Sequence, residues 1–159
     1  MSVIRTYYDA NNILLYEEYY ELNGRKEGKY TRYRISGRIS DTSNYVNGIL
    51  EGECISYDTR GQLETICNYI NGKLNGEFKE YLHGQLNKIC TYVNGNIVEY
   101  IVYSYANGKV FKNYEQYYEN GELKLNCGYV DDKIQGVYRK FHENGQLKIT
   151  RYYNNGEQW

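Results

Sequence analysis

Residues 45–68 read YVNGILEGECISYDTRGQLETICN, and residues 69–91 read YINGKLNGEFKEYLHGQLNKICT. A third copy opens at Tyr92 with YVNG, so Tyr45, Tyr69 and Tyr92 stand 24 and 23 residues apart. A fixed period of this length marks a repeat architecture, in which one supersecondary unit cannot bury its own apolar face and needs neighbours. The shorter copy has one residue fewer between Tyr81 and Gly84. Upstream, residues 20–43 form a divergent copy with Gly24, Gly28, Tyr33 and Gly37. Downstream, residues 121–156 keep the same grammar through Tyr129, Gly136, Phe141, Gly145 and Tyr153.

Each copy holds two kinds of glycine turn. One is an Asn-Gly pair followed four residues later by another glycine, as in Gly48 with Gly52 and Gly72 with Gly76. The other is a short turn that ends in Gly and continues as Gln-Leu, at Gly61, Gly84 and Gly145. Asn-Gly reaches positive φ at little steric cost, which is why it marks hairpins. The intervening segments of about 5 to 8 residues have strand length, and turns interrupt the chain too often for stable helices. The fold class expected is all-β, an elongated single sheet or open solenoid of tandem antiparallel β-hairpins.

Period-two alternation supports this. Leu63, Thr65, Cys67 and Tyr69 fall on one strand face, as do Leu86, Lys88, Cys90 and Tyr92, and again Leu123, Leu125, Cys127 and Tyr129. Side-by-side hairpins align equivalent positions, so Tyr45, Tyr69, Tyr92 and Tyr129 with Cys67, Cys90 and Cys127 are expected to form structural ladders. The other strand of each hairpin carries aromatics three apart: Tyr30 and Tyr33, Phe78 and Tyr81, Tyr138 and Phe141. That spacing means either that both faces are partly covered or that a bulge or the turn intervenes.

Two departures break the pattern. Glu99 stands where the second Gly is expected, and Ser104 where a Tyr is expected. Gly108 to Gly121 spans 13 residues, against 23 from Gly61 to Gly84. The reading is one repeat domain over residues 1–159 with an irregular unit around 99–120, including a longer strand from Lys109 to Tyr118. Asn12 is expected to replace Gly at an N-terminal turn.

Composition narrows the function. Tyr numbers 22 against 3 Phe and 1 Trp, so much of the apolar surface carries a hydroxyl that needs a partner or water when buried. Proline is absent, which excludes a Pro-rich linker or ligand segment. The net charge of −1, with both signs interspersed, gives no nucleic-acid groove. Neither an apolar run long enough to span a bilayer nor a signal-peptide start is present, and the chain is read as intracellular.

The units NGKLNGEFKEYLHGQLNKICTYVNG and NGQLKITRYYNNG resemble the MORN repeat, in its shorter variant, over nearly the whole chain. The resemblance is greatest to MORN-repeat-variant proteins of giant DNA viruses, which would place the chain in host cytoplasm. Similar repeats occur in bacterial proteins regarded as antitoxins. The resemblance implies a β-hairpin solenoid with a concave aromatic surface, and protein binding, oligomerisation or phospholipid contact. The Trp of the fuller repeat is missing, and no appended enzyme module is seen.

No residue set points to catalysis or to a metal. Residues one hairpin apart lie about 9.5 Å apart, too far for a disulfide or tight thiolate site between Cys67 and Cys90. Cys54 is read as a small hydrophobe at an aromatic position. His83 and His142 are read as solvated turn residues. Glu77 and Glu80 point to opposite faces. No cofactor is expected, and no nucleic-acid partner. The sequence predicts a non-enzymatic protein-binding or scaffold module, with self-association included; the alternatives are an anionic-membrane binder and an antitoxin- or immunity-like protein. Tyr30, Phe78 and Tyr138 are the candidate partner-binding aromatics.

Overall fold

The computed structural model describes residues 1–11 and 14–159; Asn12, expected at a turn, lies outside the described residues. The protein is all-β, and no helix occurs among the described residues. The chain divides into two compact units, Met1–Gln85 and Leu86–Trp159.

The first unit contains β1 (Ser2–Tyr7), β2 (Leu15–Leu22), β3 (Arg25–Tyr33), β4 (Ile39–Val46), β5 (Ile49–Leu50), β6 (Gly52–Tyr57), β7 (Leu63–Ile70), β8 (Lys73–Leu74) and β9 (Gly76–Leu82). They pair in the order β1-β2-β3-β4-β6-β7-β9, with β5 added to β4 and β8 to β7. The second contains β10 (Gln85–Val93), β11 (Asn96–Ala106), β12 (Lys109–Tyr117), β13 (Leu123–Val130), β14 (Lys133–Phe141), β15 (Leu147–Asn154) and β16 (Glu157–Gln158), paired in sequence order. Each unit is an open antiparallel meander of hairpins.

The Asn-Gly turns take positive φ at both central residues, 53° and 84° at Asn47 and Gly48, and 51° and 75° at Asn71 and Gly72. This is type I′ geometry, whose twist matches that of the flanking strands. His83 and Gly84 adopt it too, at 52° and 78°. The sequence grouped Gly84 with Gly61 and Gly145; the one-residue deletion before it shortens the loop and changes the turn class. At Gly61 and Gly145 the loop is longer: the Gly61 amide donates to the Asp58 carbonyl at 3.0 Å, and Gly145 to the His142 carbonyl at 2.9 Å.

The second glycine of each Asn-Gly hairpin sits in a bulge. Tyr45 pairs with Leu50 and Thr42 with Ile55, leaving two surplus residues on the side that holds Gly52. Tyr69 with Leu74 and Ile66 with Lys79 repeat this around Gly76. Aromatics three apart, such as Tyr114 and Tyr117, keep opposite faces, and a bulge beside the turn accompanies the second of them. Registers shift between Arg32 and Tyr33, Ser56 and Tyr57, Gln116 and Tyr117, and Lys140 and Phe141. The surplus residue lies on the partner strand, at Ser40, Glu64, Lys124 and Lys148 respectively, beside the turn.

Neighbouring hairpins are tied at their turns. The amides of Gly48, Gly72 and Gly156 donate to the carbonyls of Lys26 at 2.8 Å, Leu50 at 2.9 Å and Ile134 at 3.0 Å, each in the preceding hairpin. The adjacent Asn amide donates to the side chain just before the second glycine: Asn47 to Glu27 at 2.7 Å, Asn71 to Glu51 at 2.8 Å, Asn155 to Gln135 at 2.8 Å. The opposite turns are tied as well, for example by Arg34 Nη2 donating to the Tyr57 carbonyl and Asn120 Nδ2 to the Glu143 carbonyl at 3.0 Å. Backbone groups at hairpin ends that water would otherwise satisfy thus become links between repeats.

A one-layer sheet buries little. The buried apolar residues described are Tyr30, Cys67, Cys90 and Cys127, and no described large side chain falls below 2% exposure. Tyr45, Tyr69, Tyr92 and Tyr129 are half-buried.

The expected single ladder of Cys90 and Cys127 does not form. Cys90 pairs with Tyr100, Tyr100 with Glu115, and Glu115 with Asn126. Asn126 precedes Cys127, so alternation turns Cys127 to the opposite face, where it pairs with Tyr114. The cause is Glu99: without the second glycine, the β10–β11 bulge holds one surplus residue instead of two. An odd insertion exchanges the faces of every strand beyond it. The long β11–β12 hairpin, closed at Asn107 and Gly108, then runs without a bulge.

Candidate functional site

One face of the first unit gathers its aromatic and thiol side chains. Tyr19 pairs with Tyr30, and Tyr30 with Ser43. Asp41 pairs with Ser56, and Cys54 with Cys67. Since side chains two apart share a face, all of these project the same way, together with Tyr45 and Tyr69. They line an open depression of about 280 Å³ whose lining includes Arg32, Asp41, Tyr45, Cys54, Cys67 and Tyr69.

Tyr30 departs from its expected place on an open surface. It is 7% exposed, and its hydroxyl donates to Glu17 Oε2 at 2.7 Å. Its ring lies 6.1 Å from that of Tyr19 and 5.9 Å from that of Tyr45. Lys26 Nζ stands 4.1 Å from the Tyr30 centroid, 4.6 Å from Tyr19 and 5.4 Å from Tyr45. A cation over three ring faces is held by their quadrupoles, so Tyr30 organises this face from beneath. Burial, followed by the Glu17 bond, pushes the Tyr30 phenol well above its usual range.

Phe78 is half-buried on β9. Tyr138 is half-buried on β14, with its ring 6.1 Å from Tyr153. In the second unit Tyr114 donates to Glu99 Oε1 at 2.8 Å on one face, and Tyr117 donates to Glu115 on the other. Burial first, then these carboxylates, raise both phenols, Tyr117 to about 12.

The polar surface is a mosaic of paired charges: Arg32 with Asp41 at 2.7 Å, Arg60 with Asp58 at 3.0 Å, Lys79 with Glu77 at 2.6 Å, and Lys112 with Asp132. His83 Nδ1 lies 3.1 Å from Arg60 Nη2, and the Asp58 carboxylate accepts the amides of Gln62 and Arg60, which hold it below its usual range. The Asp58 contacts fasten the turn between β6 and β7.

The pairing of Cys54 with Cys67 escaped the sequence reading, which compared Cys67 only with the cysteine one repeat away. Cys54 precedes the 58–62 turn by four residues and Cys67 follows it by five, and the surplus Glu64 on β7 brings the two opposite each other. Among the described residues, no group of three or more His, Cys, Asp or Glu is placed to hold a metal ion. No helix among the described residues is long and apolar enough to cross a membrane.

The family model of the MORN repeat variant matches residues 50–71 and residues 134–155. The first match runs from the residues around the second glycine of one hairpin to the next Asn-Gly turn, and the second does the same in the other unit. No curated protein matches the chain. MORN repeats are a non-enzymatic repeat type, and generally modules for binding protein or membrane. Each of the two units thus contains a segment similar to the MORN repeat variant, at residues 50–71 and 134–155.

Proposed function

We propose that the chain is a non-enzymatic protein-binding module and that the face of the first unit bearing the open depression is its contact surface. The observation that carries this reading is the composition of that face. Tyr45 and Tyr69 supply rigid rings with polar tips, and Arg32 and Asp41 supply both signs of charge beside them. Aromatic anchors with a polar surround are what a protein interface uses. An anionic membrane attracts a patch of uncompensated Lys and Arg, whereas Arg32 here is paired with Asp41 and Lys26 sits over three tyrosine rings. Phe78 and Tyr138 are further candidate contacts. A scaffold role, self-association, or neutralisation of a toxic partner are narrower forms of the same reading.

The test compares the wild-type chain with the charge-swapped pair Arg32→Asp and Asp41→Arg. That double variant keeps an internal ion pair while inverting the mosaic that a partner meets. Affinity purification from native cells is expected to recover a stoichiometric protein partner with the wild type and to lose it with the variant. Equal recovery by both would remove this face. Retention on phosphatidylserine vesicles without any protein partner would favour the membrane reading.

A further inference from the structure

We propose that Cys54 and Cys67 form a redox-active dithiol, which a hydroperoxide converts into an intramolecular disulfide between β6 and β7. The inference stands whether or not the face binds a protein. The two residues are direct partners across the strands. Directly opposed residues of an antiparallel pair have Cα atoms about 4.5–5.5 Å apart, inside the range of about 4.4–6.8 Å that a disulfide spans. The two thiols face each other from these paired positions closely enough to perturb each other's titration.

Both thiols also line the open depression of about 280 Å³, which gives a small oxidant a way in although Cys67 is only 8% exposed. The pair is asymmetric. The Cys54 thiol donates to Cys67 and so favours the Cys67 thiolate, drawing its pKa below the ordinary thiol range. The same bond, with burial, pushes Cys54 up. Cys67 can attack with Cys54 resolving, or the reverse, and either order ends in the same disulfide. Cys90 and Cys127 stand opposite tyrosines, Tyr100 and Tyr114, on opposite faces.

With Cys67 attacking, the reaction balances in two steps. The Cys67 thiolate attacks the terminal oxygen of the hydroperoxide; the O–O bond breaks, the alcohol leaves with a proton, and a sulfenic acid remains. The Cys54 sulfur then attacks the Cys67 sulfur; the S–O bond breaks, and the hydroxyl leaves as water with the Cys54 proton. Two thiols are oxidised by two electrons, and the hydroperoxide is reduced to one alcohol and one water.

The experiment treats the full chain with tert-butyl hydroperoxide, titrates thiols in denaturant, and maps disulfides by peptide mass spectrometry. The four thiols are expected to fall to two, with a mass loss of two hydrogens and a single Cys54–Cys67 linkage. The Cys90→Ser/Cys127→Ser double variant should form the linkage at the wild-type rate. Cys54→Ser, shown folded by circular dichroism, should stop at the Cys67 sulfenic acid, trapped with dimedone. The proposal is overturned if four thiols persist, if the linkage uses Cys90, Cys127 or a second chain, or if Cys54 and Cys67 are oxidised independently. The wild-type peptide map decides the matter even if Cys54→Ser does not fold.

Discussion

Gly52 lies directly across the β6–β7 pair from Tyr69. Gly28 faces Tyr45, and Gly136 faces Tyr153, in the same relation. These glycines take φ of 81°, 71° and 82°, inside the bulges that let each hairpin keep its face. The recurrent grammar of Gly and Tyr along this chain is therefore one structural device. The glycine permits the bulge, and a tyrosine stands opposite it across the strand pair.

Gly52→Ala isolates the conformational part of that device. An added Cβ would meet nothing within 4 Å, so no clash confuses the result. The left-handed backbone alone should cost roughly 1–2 kcal/mol. Gly52→Asn should cost less, since Asn tolerates this region. Urea midpoints at constant m-value check both.

Glu51→Ala removes the acceptor of the Asn71 amide, held at 2.8 Å. The expected loss is about 1 kcal/mol, with faster hydrogen exchange at Asn71 in particular. Glu51→Gln should recover most of it, because Gln135 already serves Asn155 in this way. Equal exchange in all three proteins would dismiss the turn-to-turn link.

Lys26→Gln takes the ammonium from over Tyr19, Tyr30 and Tyr45. A loss of about 0.5–1 kcal/mol is expected, whereas Lys26→Arg should stay near wild type. Thermal unfolding of the three proteins distinguishes a charge over rings from packing of the alkyl stem, which Gln largely retains.

Alkaline pH should unfold the protein through its tyrosines. Burial, with the Glu115 bond, raises Tyr117 to about 12, and burial, with the Cys127 bond, raises Tyr129 to about 12. In the unfolded chain both titrate near the ordinary value of 10.0. Between these values the native state holds more protons than the unfolded one, so stability falls as pH rises. It should be level below about pH 10 and decline toward 12, a trend measurable by denaturant unfolding alongside phenolate absorbance. A flat profile across that window would deny these side chains their burial.

Much of this was legible in the residues. Asn47 with Gly48 and Asn71 with Gly72 announced their turns because few residue pairs reach positive φ twice in succession. Leu63 to Tyr69 announced a strand because period two is a local property. The size of a bulge is not local: Glu99 in place of Gly was visible, but its effect, one surplus residue and exchanged faces, depends on pairing with Thr91 and Tyr92. Tyr30 looked like Phe78 and Tyr138 in sequence, yet Glu17 and Tyr19 from β2 and Lys26 from its own strand surround it. The role of Glu27, Glu51 and Gln135 was equally hidden, since their acceptors meet amides about 20 residues onward.

The central claim is that hairpins stack in a register set by these bulges and tied at their turns. Scalar couplings across hydrogen bonds, with interstrand NOEs on labelled protein, measure this directly. The account predicts couplings from the amides of Gly48, Gly72 and Gly156 to the carbonyls of Lys26, Leu50 and Ile134, with Cys90 beside Tyr100 and Cys127 beside Tyr114. Contacts pairing Cys90 with Ile101, or amides coupled only within their own hairpins, would contradict it.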